Sequence, residues 1–547
     1  MQEKWVIDPG KGTDWHGYVL KIAIGFPGDY RTGMANLGLL WVQHLFNRHS
    51  EVRCDRFFES NRQLKYKERL STIETGRPVC DYDVIALTMP YEGGLALLPG
   101  MLMAGGVEPL SGKRIHGPLI IAGGPAASAN PEPVADFVDA VAIGDAESMA
   151  DSLIGTMIEA KLGNRAPLTL NLVRDELRKI DGIYIPSDYT HRYSDSGGLI
   201  SIEPDNGARE KVSAVRIDRI EQAAYSTVVT GESAFSNRFL VEASRGCPFR
   251  CRFCLASHTG GDFRGAENLV ETIESGLEVT DRIGLIGTAF TKNSDISEAC
   301  GLIGKRGANV SFSSIRMDPG TLETISDLGS ALDLESIAVA PEVATSRLAG
   351  VVGKNVLNDL DVFVRTRPID RLRKLRLYFL IGVPGENDDD AAAIAEKALE
   401  IRKETGWMIT LSVTPMIPKP FTPMQWAGMA DIKKIQRRTK IIRRQLAGEK
   451  GVQVKFESPR ESVVQAVIAR GDRRLGGMIL EKAMTVAQGL ESPSWESWFS
   501  ARGPEADEYA YRERGPEEVF PWDVIDHGVE KTALYGQYCL AMKAAEK

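Results

Sequence analysis

Short apolar runs alternate with amphipathic stretches over the first 165 residues of the chain. A continuous apolar run of a few residues is typical of a strand buried on both faces. The stretch 34–49 instead has helical spacing. Because parallel strands need helical crossovers, the alternation predicts an α/β fold with an open, doubly wound (Rossmann-like) parallel sheet. The predicted strands are 21–26, 52–58, 83–89, 118–124 and 140–145.

A second alternating series begins near Phe239. Helical stretches separate most of its apolar runs, so six βα units are predicted, which is enough for a partial (β/α)6 barrel. In βα barrels the functional groups lie at the C-terminal ends of the strands. The predicted strands are 239–244, 282–287, 310–317, 336–341, 374–382 and 408–415.

These patterns divide the chain into four predicted segments. Residues 1–165 form the Rossmann-like domain, and residues 166–236 form an irregular linker with weak β character. Residues 237–429 form the partial barrel. Residues 430–547 form a small, mostly helical C-terminal domain, which opens on the basic stretch IKKIQRRTKIIRRQ.

Composition and charge narrow the class of protein. The 547 residues are 43% hydrophobic and 26% charged, as expected of a globular protein of about three domains. The net charge of −8 argues against a nucleic-acid partner, which normally requires a basic face. No signal-peptide h-region and no apolar run of about 18 residues are present, so we expect a cytoplasmic protein without a membrane partner.

Three of the seven cysteines lie within eight residues, at Cys247, Cys251 and Cys254, with the spacing C-x3-C-x2-C. An odd cysteine count without a secretion signal does not indicate a disulfide framework. Three thiolates can hold three irons of a cubane cluster and leave the fourth iron open to another ligand. A zinc site would need a fourth ligand, for which His258 is the nearest candidate, so zinc stays an alternative.

The motif, with Phe253 before its third cysteine and a strand before its first, resembles the radical S-adenosylmethionine (SAM) superfamily. The resemblance implies a [4Fe–4S] cluster on the three cysteines and SAM on the open iron. It also implies an electron donor such as a ferredoxin or flavodoxin. The SAM-binding residues that it implies are Phe253, Gly287, Thr288, Ser313, Arg316, Glu342, Ile381 and Gly382.

The resemblance assigns a part of SAM to several of these positions. Gly287 and Thr288 stand where the family binds the SAM amino group, although the usual Gly-Gly-Glu is absent. Arg316 is expected at the SAM carboxylate and Glu342 at the ribose or amino group. The stretch LIGVPGE (380–386) resembles the segment whose backbone contacts the adenine.

Glycine-rich loops follow the strands of the first domain, for example TMPYEGG, AGGPAAS and IGDAE. Neither a GxGxxG nor a GxxxxGK[ST] fingerprint is present, so a dinucleotide site or a P-loop is not indicated. Together with NLGLLWVQHLFN, IPKPFTPMQWAG and IDHGVEK, these loops resemble cobalamin-dependent radical SAM enzymes, among them those that C-methylate a glutamine of methyl-coenzyme M reductase. The cobalamin-binding residues implied are Gly33, Asn36, Thr88, Tyr91, Glu92, Gly123, Gly124, Gly144 and Glu147.

The resemblance puts Tyr91 beneath the cobalt. The stretch Asp14-Trp15-His16-Gly17 is not taken as a cobalt-ligating Asp-x-His-x-x-Gly motif, because it precedes the first strand and lacks the final glycine.

A methyl transfer from SAM through methylcobalamin to an unactivated carbon is the reaction that this resemblance implies, with a peptide or protein residue as the substrate. Two alternatives stay open. The first is a radical SAM enzyme of another reaction class, such as cyclisation, rearrangement or thiomethylation. The second is a non-catalytic cobalamin-binding regulator, against which the complete cysteine motif argues.

Overall fold

A computed structural model describes residues 3–7, 10, 15–59, 69–164, 167–205, 207–290, 294–317, 335–501 and 504–547. The strands are β1 (Glu3–Trp5), β2 (Leu20–Phe26), β3 (Val52–Phe58), β4 (Val84–Thr88), β5 (Leu119–Gly123), β6 (Ala140–Ala142), β7 (Ile183–Tyr184), β8 (Tyr189–Tyr193), β9 (Leu199–Pro204), β10 (Val212–Ser213), β11 (Val228–Thr230), β12 (Phe239–Glu242), β13 (Ser244–Arg245), β14 (Arg264–Gly265), β15 (Arg282–Ile286), β16 (Asn309–Phe312), β17 (Ser336–Glu342), β18 (Lys374–Ile381), β19 (Met408–Pro415), β20 (Val452–Phe456) and β21 (Ile525–Asp526).

The α-helices are α1 (Tyr30–Gly33), α2 (Leu37–Asn47), α3 (Glu92–Leu95), α4 (Leu98–Ala104), α5 (Pro125–Ala129), α6 (Ala150–Gly163), α7 (Leu170–Leu177), α8 (Ala256–Thr259), α9 (Leu269–Leu277), α10 (Ser294–Lys305), α11 (Ser346–Val352), α12 (Leu357–Thr366), α13 (Asp388–Thr405), α14 (Ile432–Gln445), α15 (Pro459–Arg470), α16 (Arg474–Ala487), α17 (Trp495–Ser500), α18 (Pro504–Tyr511) and α19 (Lys531–Ala545).

The N-terminal sheet has the strand order β3-β2-β4-β5-β6-β7, and all neighbours are parallel except β6 and β7. The five strands predicted in this part of the chain are all present, and their apolar residues are buried on both faces. The strand order reverses between β2 and β4. In open α/β sheets such a reversal creates a crevice at the C-terminal edge, where ligands bind.

The second parallel array consists of β12-β15-β16 and β17-β18-β19-β20, and the pair Ile315–Val339 joins the two sheets. The six strands predicted for the barrel are present as β12 and β15–β19. A seventh, β20, pairs in parallel with β19, so the segment predicted as mostly helical also extends the barrel sheet. Its sequence, VQVKF, is short and half polar, which explains why no apolar run marked it.

Strands of the linker pair with strands near both ends of the chain. Its strand β11 pairs with the N-terminal strand β1, and β10 pairs with β21 near the C-terminus. Strands β8 and β9 form an antiparallel pair. The irregular apolar pattern of residues 166–236 therefore reflects short strands, of which β10 and β11 have partners far away in the sequence.

The C-terminal edges of the two parallel arrays face each other. Lys419, which follows β19, forms an ion pair with Glu92, which follows β4. Arg245, which follows β12, lies 2.9 Å from Glu147, which follows β6. Residues at the ends of strands in both arrays therefore meet along one junction. Among the described helices, none is long and apolar enough to cross a membrane.

Candidate functional site

The predicted cluster loop leaves β13 directly and is held in place on both sides. Gly246 has a φ of +73°, and a Cβ at this position would lie 2.0 Å from the carbonyl oxygen of Asp262, so only glycine fits. The hydroxyl of Thr288 donates to the Gly246 carbonyl. Further along the loop, the backbone N–H of Arg252 donates to the carbonyl of Val352 at the end of α11.

The three predicted ligands lie on this loop. Cys251 is buried, and Cys247 and Cys254 are half-buried. Burial raises the pKa of the Cys251 thiol, while the nearby charges of Lys354 and Arg316 act in the opposite direction. The guanidinium of Arg316 lies 3.4 Å from the Cys251 sulfur. Cations around a thiol favour the thiolate, which is the form that binds iron.

The same loop is less suitable for zinc, because the predicted fourth ligand is already engaged. The Nε2 atom of His258 lies 3.1 Å from the carbonyl oxygen of Cys251, to which it can only donate, so this nitrogen is not free to bind a metal. Within the described ranges, no three His, Cys, Asp or Glu side chains are grouped so that they could hold one metal ion. In a cubane each thiolate binds a different iron, so the predicted cluster does not require such a group.

The residues predicted to bind SAM lie at the C-terminal ends of four barrel strands. The Ser313 hydroxyl donates to the Gly287 carbonyl over 2.9 Å, which ties the ends of β15 and β16 together. Arg316 lies with its guanidinium 3.9 Å from the centre of the Phe249 ring, next to Cys251. Phe253 packs against the apolar cluster around Val351 and Val352.

Glu342 ends β17 in a left-handed conformation, with a φ of +71°. Such a conformation costs free energy for a residue other than glycine and is often found at functional sites. Burial raises the pKa of Glu342, although Lys354, at 2.8 Å, and Arg316 both act to lower it. Lys354 is itself buried, so Glu342, Lys354, Arg316 and Cys251 form one group of charged and ionisable side chains.

The predicted adenine-contacting backbone is already partly engaged. The N–H of Gly382 donates to the carboxylate of Glu386, and the carbonyl of Ile381 accepts from the N–H of Met416 over 2.8 Å. Burial raises the pKa of Glu386 to about 7, against the charge of Arg438. The Glu386 carboxylate thus fixes the turn after β18, while Ile381 and Gly382 stay predictions as adenine contacts.

A slot of about 450 Å³ lies between one face of the N-terminal sheet and helices α2 and α6. Small residues of the sheet, among them Ala86, Gly123 and Ala142, leave the space, and its walls are mostly apolar. Pockets of roughly 300–1,000 Å³ with such walls hold small molecules and cofactors. Six of the residues predicted to bind cobalamin line the slot: Asn36, Thr88, Gly123, Gly124, Gly144 and Glu147.

The other three predicted cobalamin residues do not line this slot. Gly33 packs against the rings of Phe58 and Phe26. Tyr91 is 40% exposed, and its hydroxyl lies 3.3 Å from the carbonyl oxygen of Pro27. Glu92 is buried and binds Lys419 and the side-chain amide of Gln465. Glu92 therefore joins three parts of the chain. The position of Tyr91 beneath cobalt stays a prediction.

Three residues of the barrel strands and of the segment after them also line the slot: Glu242, Arg245 and Ile286. Arg245 stands two residues before Cys247 and was visible in the motif, but its position in the sequence did not indicate a role. The sequence around Lys354 does not indicate a role for this residue, because its partner Glu342 belongs to another motif. These two residues are what the sequence analysis missed.

Comparisons with known proteins agree with this geometry. Residues 241–398 match the model described as the radical SAM superfamily, and residues 38–186 match the model described as the N-terminal region of radical SAM proteins. An uncharacterized protein of Methanocaldococcus jannaschii is 26% identical over 466 residues, which is 84% of this chain and 90% of that protein.

Two solved structures are also similar. The radical SAM methyltransferase TsrM from Kitasatospora setae, with tryptophan substrate and a SAM analogue bound, has a TM-score of 0.52 at 10% identity over 88% of this chain and all of that chain. SuiB from Streptococcus suis, bound to SAM, has a TM-score of 0.31 at 13% identity over 40% of this chain and 50% of that chain. At this identity the likeness to TsrM concerns the fold. Residues 241–398 are thus similar to the radical SAM superfamily, and residues 38–186 are similar to the N-terminal region of radical SAM proteins.

Proposed function

We propose that this protein is a cobalamin-dependent radical SAM C-methyltransferase that acts on a peptide or protein residue. The observation that carries the proposal is the apolar slot of the N-terminal sheet, whose lining includes Arg245, two residues before Cys247. A second cofactor bound there would lie against the ends of β12 and β15, where Glu242 and Ile286 line the slot. The fold shared with TsrM, whose reaction is a methyl transfer, supports the same class.

The residues present fit the two cofactors. The thiolates of Cys247, Cys251 and Cys254 would hold the cluster, and the cations of Arg316 and Lys354 stand beside Cys251. The slot, at about 450 Å³, has the size of pockets that hold drug-sized ligands. It would hold the nucleotide tail of cobalamin rather than the whole corrin. When bound, the cluster with SAM supplies a 5′-deoxyadenosyl radical and the corrinoid carries a methyl group.

The side chains of the protein would bind and orient SAM and would exclude water from it. Arg316 would pair with the SAM carboxylate, and its contact with the Phe249 ring would limit its rotation. Lys354 occupies one oxygen of Glu342 and leaves the other for a hydroxyl or amino group of SAM. The junction between the two sheet edges would keep water away from cofactors bound there.

The substrate is the finer part of the proposal. A glutamine side chain of a protein such as methyl-coenzyme M reductase is the substrate that the sequence resemblance favours. It is tested by incubating the enzyme with a glutamine-containing peptide and SAM that carries a deuterated methyl group. Mass spectrometry should detect one deuterated methyl on carbon. A cyclised or rearranged peptide without the label would favour another radical SAM reaction class.

The first test is to purify the protein without oxygen in the presence of cobalamin and to measure iron, sulfide and cobalamin per chain. About four irons and one cobalamin are expected. Iron without cobalamin would retain the radical SAM chemistry and remove the methyl carrier. Cobalamin without iron would instead favour a regulator that binds the corrinoid.

A further inference from the structure

Arg245 lines the slot and also stands two residues before Cys247, at the start of the cluster loop. Its guanidinium forms ion pairs with Asp145 at 3.0 Å, with Glu147 at 2.9 Å and with Glu242 at 2.7 Å. Asp145 and Glu147 come from the loop after β6, and Glu242 ends β12. One side chain therefore holds the N-terminal sheet and the barrel together at the mouth of the slot.

The carboxylate partners of Arg245 are themselves fixed. The indole Nε1 of Trp41 donates to Glu147 over 2.8 Å, and Arg264 binds the second oxygen of Asp145 at 3.1 Å. Burial would raise the pKa of Glu147, but hydrogen bonds from Arg245 outweigh it and hold that pKa below its usual value. Trp41, Asp145, Glu147 and Glu242 all line the slot, so a ligand there touches this network.

The backbone on the other side of Arg245 transmits its position to the cluster ligands. Gly246 is confined by the Asp262 carbonyl and its own carbonyl is held by Thr288, so it cannot act as a free hinge. A shift of Arg245 would therefore be passed on to Cys247 rather than absorbed. Coupling between two sites requires a connecting element whose arrangement both sites can bias, and Arg245 with the backbone after it connects the slot to the cluster loop.

We propose that Arg245 is a positioning residue that couples the binding of cobalamin in the slot to the state of the cluster loop. This inference rests on the proposed function. When the cluster is present, the loop holds Arg245 in its network with the three carboxylates, and the mouth of the slot is formed before the cofactor arrives. The cost of ordering that mouth is then not subtracted from the binding free energy.

The coupling is measured as a ratio of two dissociation constants. Hydroxocobalamin is titrated into protein with a reconstituted cluster, and into a cluster-free form in which the three motif cysteines are alanine. We expect cobalamin to bind 5–150-fold more tightly to the cluster-loaded form, the range typical of such coupling. In Arg245→Gln both constants should remain measurable, and their ratio should fall to about one.

A second readout distinguishes positioning from a general loss of structure. Cobalamin should change the electron paramagnetic resonance spectrum of the reduced cluster in the wild type and leave it unchanged in Arg245→Gln. The control variant is Arg219→Gln, since Arg219 binds Glu267 on the exposed surface. This control should behave as the wild type in both experiments.

Three results would overturn the coupling: a wild-type ratio of about one, a wild-type ratio retained in Arg245→Gln, or the same loss in Arg219→Gln. If Arg245→Gln does not fold by circular dichroism, Glu147→Gln removes one partner from the N-terminal side and should reduce the ratio. Cobalamin that binds with a ratio of one overturns only the coupling. Failure of the wild type to bind cobalamin at all would overturn the proposed function as well.

Discussion

Lys354 donates from Nζ to Oε1 of Glu342 over 2.8 Å, at the point where β17 ends and turns towards the cluster loop. Both side chains are shielded from solvent, and Glu342 keeps a left-handed backbone there. Ion pairs withdrawn from water are favourable only where their geometry is good and further polar partners are near. The charges of Lys354 and Arg316 both act on Cys251, so this pair belongs to the surroundings of the three motif cysteines rather than to the surface.

Replacing Lys354 with Gln should therefore impair SAM cleavage more than cluster assembly. Without the ammonium, the pKa of Glu342, which burial already raises, rises further, so the charged carboxylate is less favoured. We expect a 10–100-fold lower rate of 5′-deoxyadenosine formation with dithionite, of the order of 1–3 kcal/mol in the barrier. Iron content should stay at the wild-type level.

The matched control is Lys397→Gln, because Lys397 also forms ion pairs, with Asp361 and Glu400, but stands on the outer helix α13. It should leave SAM cleavage unchanged. If Glu342→Gln is combined with Lys354→Gln, the double variant should lose little beyond either single variant. Additive losses would show that the two residues act independently.

Cys251→Ala should abolish the cluster and spare the slot. The thiolate of Cys251 is one of three proposed ligands, and a cubane with two protein ligands is expected to be lost on desalting. Iron per chain and 5′-deoxyadenosine should fall to background, while cobalamin should still bind, with the weaker affinity expected of the cluster-free form. Cys300→Ala is the control, since Cys300 is fully buried on α10 and burial raises the pKa of its thiol to about 12. Persistent SAM cleavage in Cys251→Ala would refute the cluster assignment.

The sequence was most informative where the chemistry is contained in one short segment. Three cysteines on one loop and an apolar run before them are local features, so a loop that carries all three after a strand could be predicted, while their role as cluster ligands stays a prediction. Residues that act through distant partners could not: Glu92 binds Gln465, which lies 373 positions away. The position of Tyr91 at a strand end was clear, but the direction of its side chain depends on how α3 packs.

The same distinction explains the slot. Small residues at strand ends, such as Gly123 and Gly144, could be recognised because a parallel sheet brings these ends to one edge. Gly144 is also required for packing, since a Cβ there would lie 2.0 Å from the Val215 carbonyl. The contribution of Arg245 to the slot required the docking of two domains, which no local pattern specifies.

Ala86→Leu tests the slot by filling it. Ala86 lies on β4 with its side chain in the slot lining, and three added carbon atoms would occupy space that the proposal assigns to cobalamin. We expect cobalamin to bind at least 10-fold more weakly. The unfolding transition should move little or rise, because the new side chain enters a cavity rather than a packed core.

Ala533→Leu, on the exposed side of α19, controls for the added apolar group. It should bind cobalamin as the wild type does, measured by the same spectral titration. An unchanged affinity in Ala86→Leu, with the variant folded, would mean that the slot does not hold the cofactor.

His527 should make the junction between the domains sensitive to acid. Its Nε2 lies 2.9 Å from the carbonyl oxygen of Ser128, to which it donates, and its ring packs on Phe421, so the C-terminal segment is fixed to the N-terminal domain there. Burial lowers the pKa of His527 to about 4. In the unfolded chain the pKa is about 6.5, so between these values the unfolded state binds more protons and is favoured as the pH falls. The contribution of His527 to the free energy of unfolding is fully present above about pH 6.5 and decreases towards pH 4, with a loss of about 2 kcal/mol at pH 5.

Urea unfolding at pH 7.5 and pH 5 should therefore show a smaller drop in the midpoint for His527→Asn, which keeps a donor without a titrating ring. His116→Asn, at an exposed position, should retain the wild-type drop, and an equal drop in all three proteins would exclude His527 as the source of the acid sensitivity.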